Sequence, residues 1–352
     1  MTARCVLHYG NIAGLSYFNA LALRKQGHVS RNVIPTTEDS LGTDQARSNR
    51  ALPFDEALSV GTERRLAQLI KRGVFFAKVL QTAPLIHFYG TTILPKHLDA
   101  GIFRRLGRPM IMSWAGGEAR PYDWASRLNP YSYCSPDQVH DRQVYHRLEK
   151  LGRTVEYAAT DPELAVYSRP FFEKVFILRQ PIDLEECVPS IPRTDTECPV
   201  LLHIPTHREA KGTRFVEAAV GNLRAEGLRF EFRLLSPTLT QQQARAEIAT
   251  ADVYVDELRC GSYGISAIEA MACGKPTITY IREDLVDSYP PELPLVNANP
   301  ETITDRLREL VCSPELRQRL GQEGRQYAER YHSLEVIGPA LLEIYRTIGY
   351  DG

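Results

Sequence analysis

No stretch of the chain reaches the run of about 20 apolar residues that a bilayer-spanning helix requires, although 43% of the residues are apolar. There is no C-x-x-C pair. The seven cysteines (Cys5, Cys134, Cys187, Cys198, Cys260, Cys273 and Cys312) are odd in number and scattered. That argues against a zinc ribbon or a disulfide framework and fits reduced thiols. No charge of either sign is in excess, with 42 Lys and Arg against 43 Asp and Glu. The basic footprint of a dedicated nucleic-acid binder is therefore missing. No G-x-G-x-x-G follows a strand-like run, which disfavours a nicotinamide dehydrogenase. No credible D-x-D pair sits near a strand end. Met1 to Gly10 carries neither a basic leader nor a cleavage signature, so the expected location is cytoplasmic.

What is present is the alternation of short apolar runs and helical patterns that marks parallel α/β units. In the first half, Cys5–Tyr9, Leu85–Tyr89 and Pro109–Trp114 read as strands. A helix carrying Leu15, Phe18, Leu21 and Ala22 on one face stops at Gly27. Ser135 reads as a helix N-cap, with Pro136 at the first turn and Gln138 closing a capping box. A second series starts near Cys198. Val200–Ile204, Phe230–Leu235, Val253–Leu258 and Pro276–Ile281 read as strands, and Thr213–Glu226, Thr240–Thr250 and Ser266–Ala272 as helices. Pro181, Pro189 and Pro192, with Pro199 at the edge, mark a linker. The expected division is 1–180, a linker at 181–197, a second domain at 198–332 and a final helix, 333–352, packing back toward the first domain. Two doubly wound domains so joined would set the C-terminal ends of both sheets around one cleft, where such sheets bind ligands.

The most informative segment is Asp252–Tyr280, DVYVDELRCGSYGISAIEAMACGKPTITY. It reads strand, glycine loop, helix, glycine, strand. The N–H groups of Gly264, Ile265 and Ser266 would sit at a helix N-terminus, an anion site. Glu269, one turn further, is a carboxylate suited to vicinal hydroxyls such as those of a ribose. Together they describe a site for a nucleotide diphosphate.

YGISAIEAMACGKPTI resembles the signature of the family-4 retaining glycosyltransferases, roughly E-G-F-G-L-x-x-x-E-A-M-A-x-G-x-P-V. Gly264 matches the second motif glycine, Glu269 the ribose-binding glutamate, and Gly274 and Pro276 the closing pair. HIPTHREAKGT, His203 to Thr213, resembles the family's diphosphate-gripping segment, with Arg208 and Lys211 as its cations. Thr206, His207 and Gly212 lie beside them. Arg forks onto phosphate oxygens and Lys adds a point charge as the leaving diphosphate gains negative charge. More weakly, YGNIAGLSYFNALALRKQGH resembles the family's first glycine loop, bringing Asn11, Ala13 and Gly14 to the donor phosphates or the acceptor. IHFYGTTILP and MSWAGGEARP resemble later strand ends, with His87, Gly116, Glu118 and Arg120 on the acceptor side. Two positions depart from the pattern: the first glutamate of E-x7-E falls at Gly261, with Asp256 or Glu257 as substitutes, and the third-motif histidine falls at Ala115. The second domain is short, which makes Ser236 and its loop to Thr240 the candidate contact for the base.

The resemblance implies a GT-B fold of two Rossmann-like domains. It implies transfer of a sugar from a UDP-, GDP- or other nucleotide-diphosphate sugar to a small-molecule, glycan, lipid-linked or protein acceptor, with retention, without metal and without a cofactor. Catalytic roles fall to Arg208, Lys211 and Glu269. Two other readings stand beside it: a sugar-nucleotide binder without turnover, and an epimerase of the same fold. For single residues the plainer alternatives are a solvated loop for Arg208 and Lys211, an ion pair for Glu118 with Arg120, and a packed core for His87 and His203. Arg64–Leu80 is basic and amphipathic, so contact with a membrane surface stands beside a helix that simply covers the sheet.

Overall fold

The computed structural model describes residues 5–36, 54–59, 65–235 and 239–351. The first sheet is built from β1 (Val6–Tyr9), β2 (Ser30–Thr36), β3 (Glu56–Ser59), β4 (Ile86–Tyr89), β5 (Met110–Ser113), β6 (Tyr157–Thr160) and β7 (Lys174–Ile177). Its strand order is β3-β2-β1-β4-β5-β6-β7 and every pairing is parallel. The intervening helices are α1 (Leu15–Lys25), α2 (Arg65–Thr82), α3 (Leu98–Arg105), α4 (Tyr122–Leu128), α5 (Gln138–Val155) and α6 (Pro162–Ser168). VLHY, IHFY and MIMS are buried at every position, because a parallel sheet is covered on both faces. On one face Leu7, Tyr9 and Met112 pack with Phe75, Phe76 and Val79 of α2, Phe103 of α3 and Leu148 of α5. On the other, Val6 and Ile111 pack with Phe18, Ala22 and Leu23 of α1.

The second sheet comprises β8 (Val200–His203), β9 (Glu231–Leu234), β10 (Val253–Val255), β11 (Thr277–Thr279) and β12 (Val296–Asn297), ordered β12-β11-β10-β8-β9 and parallel throughout. Its helices are α7 (Arg208–Lys211), α8 (Thr213–Ala225), α9 (Gln241–Thr250), α10 (Ile265–Ala272), α11 (Ile303–Cys312) and α12 (Pro314–His332). Leu202, Tyr254 and Ile268 centre one apolar cluster, and Leu201, Val216, Val253, Ile278 and Leu307 the opposite one. The last helix, α13 (Leu334–Thr347), leaves this sheet and packs on α1, where Ile337, Leu341 and Tyr345 join the first domain's core. At the crossing, Ile182 N–H donates to His332 O at 2.8 Å, and Ile182 pairs with Ser333.

One sequence expectation fails locally. Helix α5 starts at Gln138, and its N-cap is Asp137, which accepts from Val139 and His140 N–H at 2.9 and 3.1 Å. Ser135 and Pro136 lie before it. Asp is as good a cap as Ser, and its charge faces the positive helix end. Thr240 caps α9 in a full capping box with Gln243. His203 is a core residue, held between Val255 O at 2.8 Å and Thr213 Oγ1 at 3.0 Å.

Candidate active site

A cleft of about 900 Å³ opens between the C-terminal ends of the two sheets. From the first domain it is lined by Asn11 and Ala13 after β1, Gly116, Glu118 and Arg120 after β5, and Asp161 and Glu163 after β6. Gly10 is needed for the first of these turns: it holds φ +108°, and a Cβ there would lie 2.4 Å from Tyr89 O. The chain then runs through Ala13 at φ +52° and Gly14 at φ +78° into α1. Gly14 itself does not line the cleft.

The second domain contributes Thr206, His207 and Lys211 from around α7, Glu257 and Cys260 after β10, and Gly264, Ile265 and Ser266 at the start of α10. That helix start has no capping side chain and no acidic residue in its first turn. Its amides therefore point a partial positive charge into the cleft. Lys211 is 9% exposed. Its Nζ lies 2.6 Å from Asp256 Oδ1 and 3.1 Å from Glu257 Oε2. Burial works against the charged amine, but the two carboxylates outweigh it and hold the Lys211 pKa well above its ordinary value. Burial raises the Glu257 carboxyl, with Lys211 opposing. The cation is thus fixed in place and protonated, and Glu257 rather than Asp256 reaches the cleft surface.

Glu269 is fully buried, one layer behind the cleft wall. Its Oε1 accepts from Gln241 Nε2 at 2.8 Å and Arg245 Nε at 3.1 Å, and Gln241 is the residue that lines the cleft. Arg208 is not among the lining residues. Its guanidinium pairs with Glu217 of α8 at 2.9 and 3.0 Å on the exposed side of α7. Arg208 and Lys211 are three positions apart on the single turn of α7, but Arg208 is held outward by Glu217 and only Lys211 lines the cleft. Gly212 follows that turn at φ +70° and does not line the cleft. Ser236 lies outside the described residues.

On the opposite wall, Glu118 does not pair with Arg120. It accepts from the amides of Ala115 and of Gly116, the latter at 3.0 Å, and so closes its own loop. Arg120 forks onto Glu163 at 2.8 and 2.7 Å. Asp161 caps α6, accepting from Glu163 and Leu164 N–H at 2.9 and 3.1 Å. Burial and the neighbouring Glu163 push its carboxyl up to about 7. His87 lies beneath the cleft, not in it. Its Nδ1 is 2.7 Å from Tyr345 OH and its Nε2 is 2.7 Å from Ser113 Oγ, and burial drives its pKa far down. It joins α13 to the first sheet.

Several residues in and behind the cleft wall were not visible in the linear pattern. Asp161, Glu163, Gln241 and Arg245 come from helices whose starts carry no family motif. Arg282 explains Gly261. A Cβ at Gly261, φ +89°, would lie 2.8 and 2.9 Å from the Arg282 side-chain stem, so that stem occupies the space where a carboxylate would begin. Arg282 bonds Asp284 at 2.8 Å through two nitrogens and Tyr167 OH at 3.0 Å, reaching across to the first domain. Arg259 also crosses, donating to Tyr131 O at 2.9 Å and Ser132 O at 2.8 Å. Among the described residues no group of three or more His, Cys, Asp or Glu is arranged to hold a metal ion.

Comparison with known proteins finds a family pattern in part of the second half and a shared fold over the whole chain. Residues 234–327, which include α10, match the family model described as glycosyl transferases group 1. An uncharacterized glycosyltransferase of Methanocaldococcus jannaschii is 32% identical over 94 residues, 26% of this chain and 26% of that protein's own length. Sucrose-phosphate synthase from Thermosynechococcus elongatus superposes with a TM-score of 0.64 at 16% identity, covering 98% of this chain and 99% of that one. Anabaena HepE in complex with UDP gives a TM-score of 0.64 at 11% identity, over 98% and 100% of the two chains. The two parallel sheets share the GT-B arrangement of these structures, and residues 234–327 carry the pattern of the glycosyl transferases group 1 family.

Proposed function

We propose that the protein moves a sugar from a nucleotide-diphosphate sugar to an acceptor, with retention at the anomeric carbon and without a metal ion. The observation that supports this most is the open start of α10 beside Lys211 on one cleft wall, facing Glu118, Arg120 and Asp161 on the other. The diphosphate lies against the amides of Gly264, Ile265 and Ser266, with Lys211 meeting the charge that grows on the leaving group. Gln241, anchored by Glu269, presents an amide to the ribose, so Glu269 acts by positioning. Glu257 takes over the sugar-facing role of the carboxylate that Gly261 lacks. Arg208 joins only if it releases Glu217. Asn11, Ala13, Gly116, Glu118 and Arg120 face the acceptor. Retention rests on the family resemblance. Metal independence follows from side-chain and amide charges doing the work of a cation. HepE, whose complex with UDP has this fold, supports a uridine donor as the first to try.

The test is a screen of UDP- and GDP-sugars by calorimetry and product formation, in EDTA, with the product anomer read by NMR. It is run on the wild type, on Lys211→Gln, which keeps a donor to Asp256 without the charge, and on Arg208→Ala. Turnover should fall by about two to three orders of magnitude in Lys211→Gln and far less in Arg208→Ala. Binding without product from any acceptor would favour the non-catalytic reading. Conversion of the donor alone would favour the epimerase. An undiminished rate in a folded Lys211→Gln would remove its assigned role.

A further inference from the structure

Between α4 and α5 the first domain sends a short segment, residues 129–134 (NPYSYC), onto the second domain. It is a built turn. Asn129 Oδ1 accepts from Tyr131 N–H at 2.9 Å, Ser132 N–H donates to Asn129 O at 3.0 Å, and Ser132 Oγ accepts from Cys134 N–H at 3.1 Å. Asn and Ser side chains that bond their own backbone in this way fix such turns. Asn129 Nδ2 donates to Arg259 O at 2.9 Å, and Arg259 donates back to Tyr131 O and Ser132 O at 2.9 and 2.8 Å. The Tyr131 ring meets Tyr280 edge-on, with 5.3 Å between centroids, and the Tyr133 ring stands 6.0 Å from that of His207. Two of these contacts lead to α7. Arg259 is paired with Glu209 of that helix, and His207 is its N-cap, with Nδ1 accepting from Ala210 N–H at 3.1 Å. The segment therefore closes on the turn that presents Lys211. Of its six residues only Tyr133 lines the cleft. Burial pushes the Tyr133 hydroxyl far up, the second domain's Cys260 adds to this, and the first domain's Arg120 opposes it. The phenol is thus neutral, with neighbours from both walls.

We infer that residues 129–134 form a strap across the cleft, and that the Tyr133 ring covers the reacting centre on the α7 side and decides whether the donor sugar passes to an acceptor or to water. This rests on the sugar-transfer reading above. Lys211 and the open amides of α10 polarise the donor whether or not an acceptor is present. Water reaching the anomeric carbon forms the new C–O bond in the acceptor's place. The bond from that carbon to the diphosphate oxygen breaks, its electron pair leaves on the nucleotide diphosphate, and the surplus proton passes to the medium. A ring wedged between the walls takes the room such a water needs, and it has only two torsions to order. The hydroxyl is not required for that. Tyr133 is a specificity residue, not a catalytic one.

The experiment compares the wild type with Tyr133→Phe and Tyr133→Ala, with circular dichroism and melting temperature as checks on folding. Cys260 lines the same cleft and reports on its cover. The full chain is exposed to iodoacetamide, a small neutral reagent, and alkylation is followed by peptide mass, with the exposed Cys198 and Cys312 as internal references. Relative to them, Cys260 should label about tenfold faster in Tyr133→Ala than in the wild type, and within about twofold of the wild type in Tyr133→Phe. Hydrolysis is read with UDP-glucose as the probe and no acceptor. Free glucose should appear about tenfold faster in Tyr133→Ala, while affinity for UDP moves by less than about threefold. Equal labelling of Cys260 in the wild type and Tyr133→Ala overturns the strap. Tyr133→Phe that labels as fast as Tyr133→Ala overturns the role of the ring. Faster labelling without faster hydrolysis, in protein that binds UDP-glucose, overturns the exclusion of water. A wild type that does not bind UDP-glucose counts against the uridine-donor reading alone, because the labelling needs no donor and decides the cover by itself.

Discussion

Asp161 sits where a capping residue and a cleft residue are the same side chain. Its two amide bonds favour the carboxylate, but burial and Glu163 favour the acid more strongly, and its pKa reaches about 7. Folding therefore prefers the protonated form. The resulting contribution to stability is complete below the pKa of an unfolded carboxyl and drains away as pH rises toward 7. Asp161→Asn, which caps equally well and never ionises, should gain melting temperature relative to the wild type as pH is raised through that interval. Parallel unfolding curves for the two proteins between pH 4 and pH 8 would show that this carboxyl is not perturbed. Glu269 makes a related point. Sequence resemblance places it on the ribose, whereas its hydrogen bonds run to Gln241 and Arg245. Its burial behind Gln241 was not legible, because the depth of a helix residue beneath a cleft depends on what α9 interposes, and α9 has no motif of its own.

Helix α10 was legible almost to the residue. Its signals are all local: a glycine loop, an apolar helix and a closing glycine-proline. Strand β7 was not, because KVFI is only half buried and lacks the continuous apolar run that betrays the central strands. Helix α7 lay between these cases. Its motif named two cations, and although positions three apart share a helix face, Arg208 is drawn outward to Glu217 and Lys211 inward to Asp256. The open start of α10 supports a prediction of opposite signs. Ser266→Asp places a carboxylate in the first turn, which should stabilise the helix by about 0.3–1 kcal/mol. The same charge would stand at the proposed phosphate position, so affinity for a nucleotide diphosphate should drop about tenfold or more. Thermal unfolding and calorimetry on one preparation decide it, and unchanged affinity would place the phosphates elsewhere.

The whole molecule is held closed by second-domain side chains that reach the first. Arg259 grips two carbonyls in the segment before α5, and Arg282 reaches Tyr167. Arg259→Ala removes both carbonyl contacts, each worth about 1 kcal/mol. The radius of gyration from X-ray scattering should rise and donor affinity fall by about tenfold, with the circular dichroism spectrum unaltered. Equal scattering curves for variant and wild type would mean that the two halves stay together for other reasons. The two-sheet plan could be read from the alternation of runs, but these bridges could not, since each joins positions more than a hundred residues apart.

The chain passes between the two halves twice, at Ile182 and again at Ser333, and the passages are bonded side by side. Because α13 completes the core over α1, a second half borrowed from a relative has to be spliced in at both places, keeping the native tail. A chimaera joined at one point would carry a foreign final helix against α1 and should misassemble, however well the transplanted half folds.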